Sequence, residues 1–443
     1  MPANVPSQAT PIRTKAFQPT CFISGNEIEL VTECLKSHNW SSFKGGTEGW
    51  DLEECATMPS ARAAQFGPTE IRFLGGRYVR QLESEVATAT HTEFAVSANS
   101  ATSALVMALG ALDIEPGDEV LVPYLSFNAS ATAILFYNAV PVFCEIKLDT
   151  LCLDPNDLEA KITRRTKAIM VVHFGGNATN MDAVMAIAKK HDLKVIEDCA
   201  QSPGVAYNGK PVGGIGDAGI FSFTETKNIS CGEGGMLITN NARIAMKARL
   251  IRNHGEGLTE DDWPDQDLCN IIGMNFRLTE LQAAVAIPQY RSLGERNAIR
   301  NENWSRLLGG LAGYGNELWP IKIEPGTEHA CHIAYWHWRP KTGHPDRETL
   351  IAAMRAAGIP LGVAYRRLMH ENPIYTRQIA YGTRGCPWAC HPPSDVASAT
   401  YGTGACPKSE AVNAALVSFK FVNPPNTVAD MDDVVAAFRQ VIG

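Results

Sequence analysis

Positive charge is scarce in this 443-residue chain, whose formal net charge is -8 and which contains no long Lys/Arg run. A nucleic-acid surface needs a basic stripe, so that function class is excluded. No apolar run reaches the roughly 20 residues of a membrane-spanning helix. The opening stretch, Met1-Pro-Ala-Asn-Val-Pro-Ser-Gln-Ala-Thr10, lacks the apolar core of an export signal and reads as a disordered arm. A cytosolic protein is therefore expected. Internal repeats and low-complexity tracts are missing too. What remains is 45% hydrophobic and 19% charged, enough for a large core and too long for one compact domain.

Cysteine is plentiful but unpatterned, with twelve residues scattered along the chain. Without an export signal, a disulfide framework is not expected. The one cluster, Cys386-Pro-Trp-Ala-Cys390-His391 with Cys406 beyond it, has neither zinc-type spacing nor a second paired half. It reads as free thiols in a loop, with no metal.

Residues 20 to 75 read as irregular, with Trp40, Phe43, Gly45-Gly46, Trp50 and one short helix near Glu27–Leu35. From Gly76 onward strands and helices alternate. Strands are predicted at Phe94–Ser97, Glu119–Pro123, Val140–Glu145, Lys167–Val172, Leu193–Asp198 and Ala218–Phe223. Helices are predicted at Val79–Thr90, from Ser100, and at Ala129–Tyr137, Pro155–Lys161 and Met181–His191. This alternation predicts an α/β fold with a mostly parallel sheet covered on both faces, which binds ligands at the carboxyl ends of its strands. Ser100, Phe127, His173, Asp198 and Lys227 all fall at that edge. A helical stretch from Leu278 to Leu308 carries Pro288 and is expected to kink there. Beyond it, strands at Cys331–Arg339 and Val417–Val422 and helices at Arg347–Ala357 and Val428–Val441 suggest a smaller domain. The expected division is an arm and irregular extension over 1–75, a large α/β domain over 76–290, and a small α+β domain over 291–443.

Lys227 and Asp198 carry the chemistry. Lys227 follows the apolar strand Ala218-Gly-Ile-Phe-Ser-Phe223 within glycine-rich surroundings, where desolvation would lower an amine's pKa towards nucleophilicity. Asp198 ends the strand Leu193-Lys-Val-Ile-Glu-Asp198. Pyridoxal phosphate chemistry needs such a pair, an amine to hold the aldehyde as a Schiff base and an acid to keep the pyridine nitrogen protonated. Gly214-Ile-Gly216-Asp-Ala-Gly219 matches the dinucleotide fingerprint by letter. Its glycines follow a loop and precede a strand, so no helix N-terminus is available for a pyrophosphate, and nicotinamide binding is rejected.

Six blocks in order complete the pattern: Asn99-Ser-Ala-Thr-Ser-Ala-Leu105, Val122-Pro-Tyr-Leu-Ser-Phe127, Ile196-Glu-Asp-Cys-Ala-Gln201, Phe221-Ser-Phe-Thr-Glu-Thr-Lys227, Gly232-Glu-Gly-Gly235 and Gly273-Met-Asn-Phe-Arg-Leu-Thr-Glu280. The chain resembles the DegT/DnrJ/EryC1/StrS family of pyridoxal phosphate aminotransferases that act on keto-sugars and cyclitols. The resemblance implies a fold type I enzyme, with a large domain built on a mostly parallel seven-stranded sheet and a small α+β domain. It makes Lys227 the Schiff-base lysine and general base, and Asp198 the partner of the pyridine nitrogen. Ser100, Ala101, Thr102 and Ser222 become phosphate ligands, Phe127 the stacking aromatic, and Gln201 the group near the ring hydroxyl. His173 is placed in a substrate- or cofactor-lining position, and a structural histidine is the competing reading. Asn275 and Arg277 fall where the family reaches a neighbouring subunit's phosphate, which implies a homodimer with shared sites. Some members carry His at the lysine position and act as dehydratases, so Lys227 favours transamination, with glutamate or glutamine as donor. A lyase or dehydratase on the same fold, and a non-catalytic regulator that retains the cofactor, are the rival readings. The segments 39–71 and 375–408 depart from the family pattern.

Overall fold

The structure is a computed structural model that describes residues 11–20, 23, 25–41, 43, 52–66, 72–255, 270–390 and 400–443. The opening ten residues, Gly45, Gly46, Trp50 and His391 lie outside them. Seven strands make the central sheet: β1 (Phe94–Ala98), β2 (Glu119–Pro123), β3 (Val140–Cys144), β4 (Thr166–Val172), β5 (Lys194–Asp198), β8 (Ala218–Ser222) and β9 (Gly235–Thr239). Between β5 and β8 run the two-residue strands β6 (Ala206–Tyr207) and β7 (Lys210–Pro211). The spatial order is β1-β9-β8-β5-β4-β2-β3. Pairs from β3 through β8 are parallel, whereas β9 runs antiparallel to both β8 and β1.

Burial on both faces explains the sequence of these strands. β1, β2, β3, β8 and β9 are buried at every residue, and so they read as largely apolar runs rather than as an apolar–polar alternation. Successive residues still alternate between two cores. On β5, Val195 packs in the cluster with Leu121, Ile169 and Phe221, while Ile196 packs in the cluster with Leu105, Val122 and Ile220. The helix Ala101–Ala111 is buried along nearly its whole length, and its small residues let it lie close to the sheet. Gly235 permits the closest approach, since a Cβ there would stand 2.4 Å from the backbone carbon of Ser100.

A second sheet, β10 (Leu318–Pro320), β12 (Ala334–Trp338) and β13 (Leu416–Phe419), carries its own core of Trp304, Trp336, Trp338, Phe419 and Phe438. Strand β11 (Thr327–Glu328) pairs instead with β6. Pro288, the expected kink position, lies inside the helix Glu280–Arg291. The break comes at Ser292, which caps that helix and opens the helix Leu293–Leu311. The region read as irregular holds helices at Asn26–Ser37, Leu52–Ala56 and Ser60–Ala63. Phe43 is buried under the Arg252 guanidinium, 4.8 Å from its ring centre, whereas Trp40 is half exposed. The free-thiol reading also fails in part. A turn brings the Cα atoms of Cys386 and Cys390 to 5.2 Å, within disulfide range, and the two are joined.

Candidate active site

The parallel strands converge on a cavity of about 320 Å³ lined by Ser100, Ala101, Thr102, Phe127, Ser130, Asp198, Gln201, Ser222 and Lys227. It adjoins a larger one of about 560 Å³, lined by Glu225, His332, Tyr335, Tyr365, Ser418 and Lys420. Phe127, Gln201, Thr226 and Lys227 belong to both. The amine therefore stands where the two spaces meet.

Each wall has a local cause. Ser100 is an extended N-cap whose Oγ accepts from Ser103 N at 3.1 Å. The amides of Ala101 and Thr102, which line the smaller cavity, have no acceptor inside the helix and can bind an anion. Asp198, at the end of β5, is buried; its Oδ2 accepts from Ser130 Oγ at 2.7 Å and its Oδ1 from Ala200 N at 3.1 Å. Ser130 in turn shares a 3.0 Å hydrogen bond with Ser126. Gln201 Oε1 accepts from Gly175 N at 2.9 Å, and its Nε2 donates to the Tyr365 hydroxyl at 3.4 Å. Phe127 is 65% exposed, an uncommon position for a phenylalanine unless its face meets a ligand or another chain.

Lys227 lies in the turn after β8 rather than on the strand, five residues past Ser222, with its backbone N–H donating to Thr224 O. Burial pushes its pKa down, and the Asp198 charge opposes that shift without cancelling it. His332 donates from Nδ1 to Asn228 Oδ1, 3.1 Å away. Burial, with the positive charges of Lys227, Arg300 and Lys420, holds the His332 pKa well below the usual range and keeps the ring neutral.

His173 is brought to the strand edge but not to the site. Its ring is fully buried, lines neither cavity, accepts from Thr179 N at Nδ1 and meets Glu197 through Nε2 at 3.0 Å. The structural reading of this histidine is the one its surroundings support. The glycine loop rejected as a dinucleotide site also serves Glu197, whose oxygens accept from the amides of Gly213, Ile215 and Gly216 at 2.7–2.8 Å. Asn275 and Arg277 line neither cavity. Arg277 Nε donates to Asn275 Oδ1 at 3.0 Å, and Asn275 O accepts from Asn99 Nδ2 beside the Ser100 cap. Sequence reasoning missed Ser130, His332, Tyr365 and Lys420. A hydroxyl one helical turn from the motif serine Ser126 was the only available signal for Ser130.

These residues fit pyridoxal phosphate. The helix start offers free amides to a phosphate, and it can lie this close to β9 because Gly235 carries no side chain. A carboxylate with free lone pairs, an aromatic face and a desolvated amine line one cavity of suitable size.

Known proteins agree. The model of the "DegT/DnrJ/EryC1/StrS aminotransferase family" matches residues 66–413. An L-glutamine:2-deoxy-scyllo-inosose aminotransferase of Streptoalloteichus tenebrarius is 34% identical, covering 98% of this chain and 96% of that protein. A UDP-N-acetyl-3-dehydro-alpha-D-glucosamine 3-aminotransferase of Acidithiobacillus ferrooxidans is 36% identical over 72% of this chain and 82% of that one. Among solved structures, S. venezuelae DesV in complex with a ketimine intermediate superposes with a TM-score of 0.74 at 27% identity, covering 94% of this chain and 93% of that one. The chain belongs to the DegT/DnrJ/EryC1/StrS family and is a fold type I, pyridoxal phosphate-dependent aminotransferase.

Proposed function

We propose that this aminotransferase moves nitrogen from glutamine or glutamate to a keto-sugar or ketocyclitol, and that it works in the cytoplasm as a homodimer. The observation that carries the reading is the placement of Lys227 at the junction of two cavities. The smaller has the lining a phosphate-bearing ring requires. The larger is walled by Glu225, Thr226, His332, Tyr365, Ser418 and Lys420, hydrogen-bonding groups suited to a polyhydroxylated ring. The full-length likeness to an aminotransferase named for 2-deoxy-scyllo-inosose supports a cyclitol acceptor.

When bound, pyridoxal phosphate supplies an electrophilic carbonyl and an electron-accepting ring. Lys227 Nζ would hold that carbonyl and, once released, take the proton from the donor's Cα and return it at the other end of the exchange. Burial lowers its pKa, which favours the free amine that a general base requires. Asp198, anchored by Ser130 Oγ and Ala200 N, would keep the ring nitrogen protonated. Ser100, Ala101, Thr102 and Ser222 would grip the phosphate, Phe127 would cover the ring, and Gln201 would meet its hydroxyl. Asn275 and Arg277 would reach a second subunit's phosphate. Support for that arrangement comes from exposed Ile272 and Met274 beside them, an apolar surface that a dimer would cover. The large unit over 76–290 would carry the cofactor, the unit over 291–443 would close on the substrate, and 1–75 would flank both.

The test is a half-reaction. Adding glutamine or glutamate to the cofactor-loaded enzyme should bleach its visible absorbance, and adding 2-deoxy-scyllo-inosose or a nucleotide-linked keto-sugar should restore it. Failure of every amino acid to bleach the cofactor would overturn the reading.

A further inference from the structure

Cys406 does not join the disulfide formed by Cys386 and Cys390, although it follows them in the same cysteine-rich segment. Its sulfur instead meets a histidine and a carboxylate. Sγ lies 3.3 Å from His370 Nε2, 3.7 Å from Nδ1 of the same ring, and 3.8 Å from Glu410 Oε1. His370 Nε2 and Glu410 Oε1 are 3.3 Å apart. Glu410 Oε1 also accepts from Gly404 N at 2.8 Å and Cys406 N at 3.4 Å, so all of these bonds converge on one carboxylate oxygen. Tetrahedral zinc, with Zn–S about 2.3 Å and Zn–N or Zn–O about 2.0–2.2 Å, separates its ligand atoms by roughly 3.4–3.6 Å. The triangle of 3.3, 3.3 and 3.8 Å matches the face of such a tetrahedron.

We propose that His370, Cys406 and Glu410 bind a zinc ion, with water as the fourth ligand. The mixed sulfur, nitrogen and oxygen donors select zinc over the oxygen-seeking cations. His370 and Cys406 are buried, while the Glu410 side chain keeps 20% of its exposure and opens on a cavity of about 540 Å³ that can supply the water. A comparable group, His173 with Glu197 and Cys199, does not qualify. There backbone amides occupy both carboxylate oxygens, whereas among the described residues they reach Oε1 alone at Glu410 and leave Oε2 to turn to the ion.

The ion would fasten two segments, one carrying His370 and the other Cys406 and Glu410, and both contact Tyr124. Met369 N donates to Tyr124 O, the His370 ring meets Tyr124 edge-on at 4.5 Å, and the Tyr124 hydroxyl donates to Ala405 O. Tyr124 lies three residues before Phe127, so the site braces the loop that carries that aromatic. The structure thus gives the unfamiliar 375–408 segment and its neighbours a structural metal centre.

Protein expressed with zinc in the medium should carry about one zinc per chain by elemental analysis. Chelation should lower Tm, and zinc alone should restore it. Cobalt in place of zinc should give visible tetrahedral d–d bands. Cys406→Ala and Glu410→Gln should each lose the metal and the cobalt bands while still binding pyridoxal phosphate. Zinc-free protein whose Tm ignores added zinc would overturn the proposal and leave a hydrogen-bonded cluster. Zinc retained in both variants would overturn it equally, because the ion would lie elsewhere. Since the readout is metal content, failure here is separable from failure of the transamination assay.

Discussion

Glu197 and Asp198 are neighbours on one strand, yet they serve opposite ends. The two-residue period of β5 turns them to different faces of the sheet. Glu197 enters a closed interior, where four donors meet its two oxygens: His173 Nε2 and the amides of Gly213, Ile215 and Gly216. Because Thr179 N donates to His173 Nδ1, the ring proton sits on Nε2 and is given to Glu197. Burial alone would raise the Glu197 pKa, but the His173 bond and the loop amides hold it below the usual carboxylate range. Among the described residues, the Asp198 carboxylate receives hydrogen bonds only from Ser130 Oγ and Ala200 N, and it opens on the cavity beside Lys227. A buried charge does not by itself mark a functional site. Unfilled acceptor capacity facing a cavity does.

The comparison can be broken from either side. Lys227→Ala on the open side should reduce turnover with glutamine by at least about 10³-fold, the scale of losing both covalent anchor and general base, with little change in Tm. Turnover within tenfold of the parent would remove Lys227 from the chemistry. On the closed side, Glu197→Ala strands four buried donors and should cost about 3–5 kcal/mol in urea unfolding. A loss below about 1 kcal/mol would mean that the glycine loop finds other partners.

How much of this was legible in the sequence follows from the same geometry. Lys227, Asp198, Phe127 and Ser100–Thr102 stand in contiguous motifs at strand ends, and the parallel α/β alternation places strand ends together. Ser130 was hidden because its role is set by what lies across the sheet, 68 residues away at Asp198. Tyr365 and Lys420 come from the second sheet's surroundings, where no periodicity points at a cavity. For His173 the lining and the structural readings both stayed open, because a strand-end position fixes height in the sheet and not which way a ring turns. The helix holds Pro288 within it and is capped four residues later by Ser292, which no turn signal in the sequence marked.

Asp198→Asn sharpens the contrast at smaller amplitude. It retains the shape and the Ser130 contact but removes the charge, so it should lower turnover roughly 10²-fold and leave urea stability nearly unchanged. A stability loss matching that of Glu197→Ala would erase the distinction between the two carboxylates.

Acid should separate them last and most gently. Glu197→Gln keeps the volume but turns one acceptor into a donor facing N–H groups, at a cost of about 1–3 kcal/mol near neutral pH. The folded-state pKa of Glu197 lies below its unfolded value, so its ionised form stabilises the fold above the unfolded carboxylate range, about pH 4.3. That contribution is lost as pH falls through the folded-state pKa. The Tm gap between parent and Glu197→Gln should therefore be widest near neutrality and narrow in acid, where the parent side chain becomes neutral as well. A gap that stays constant from pH 7 to about pH 3 would show that shape, rather than charge, is what the glycine loop recognises.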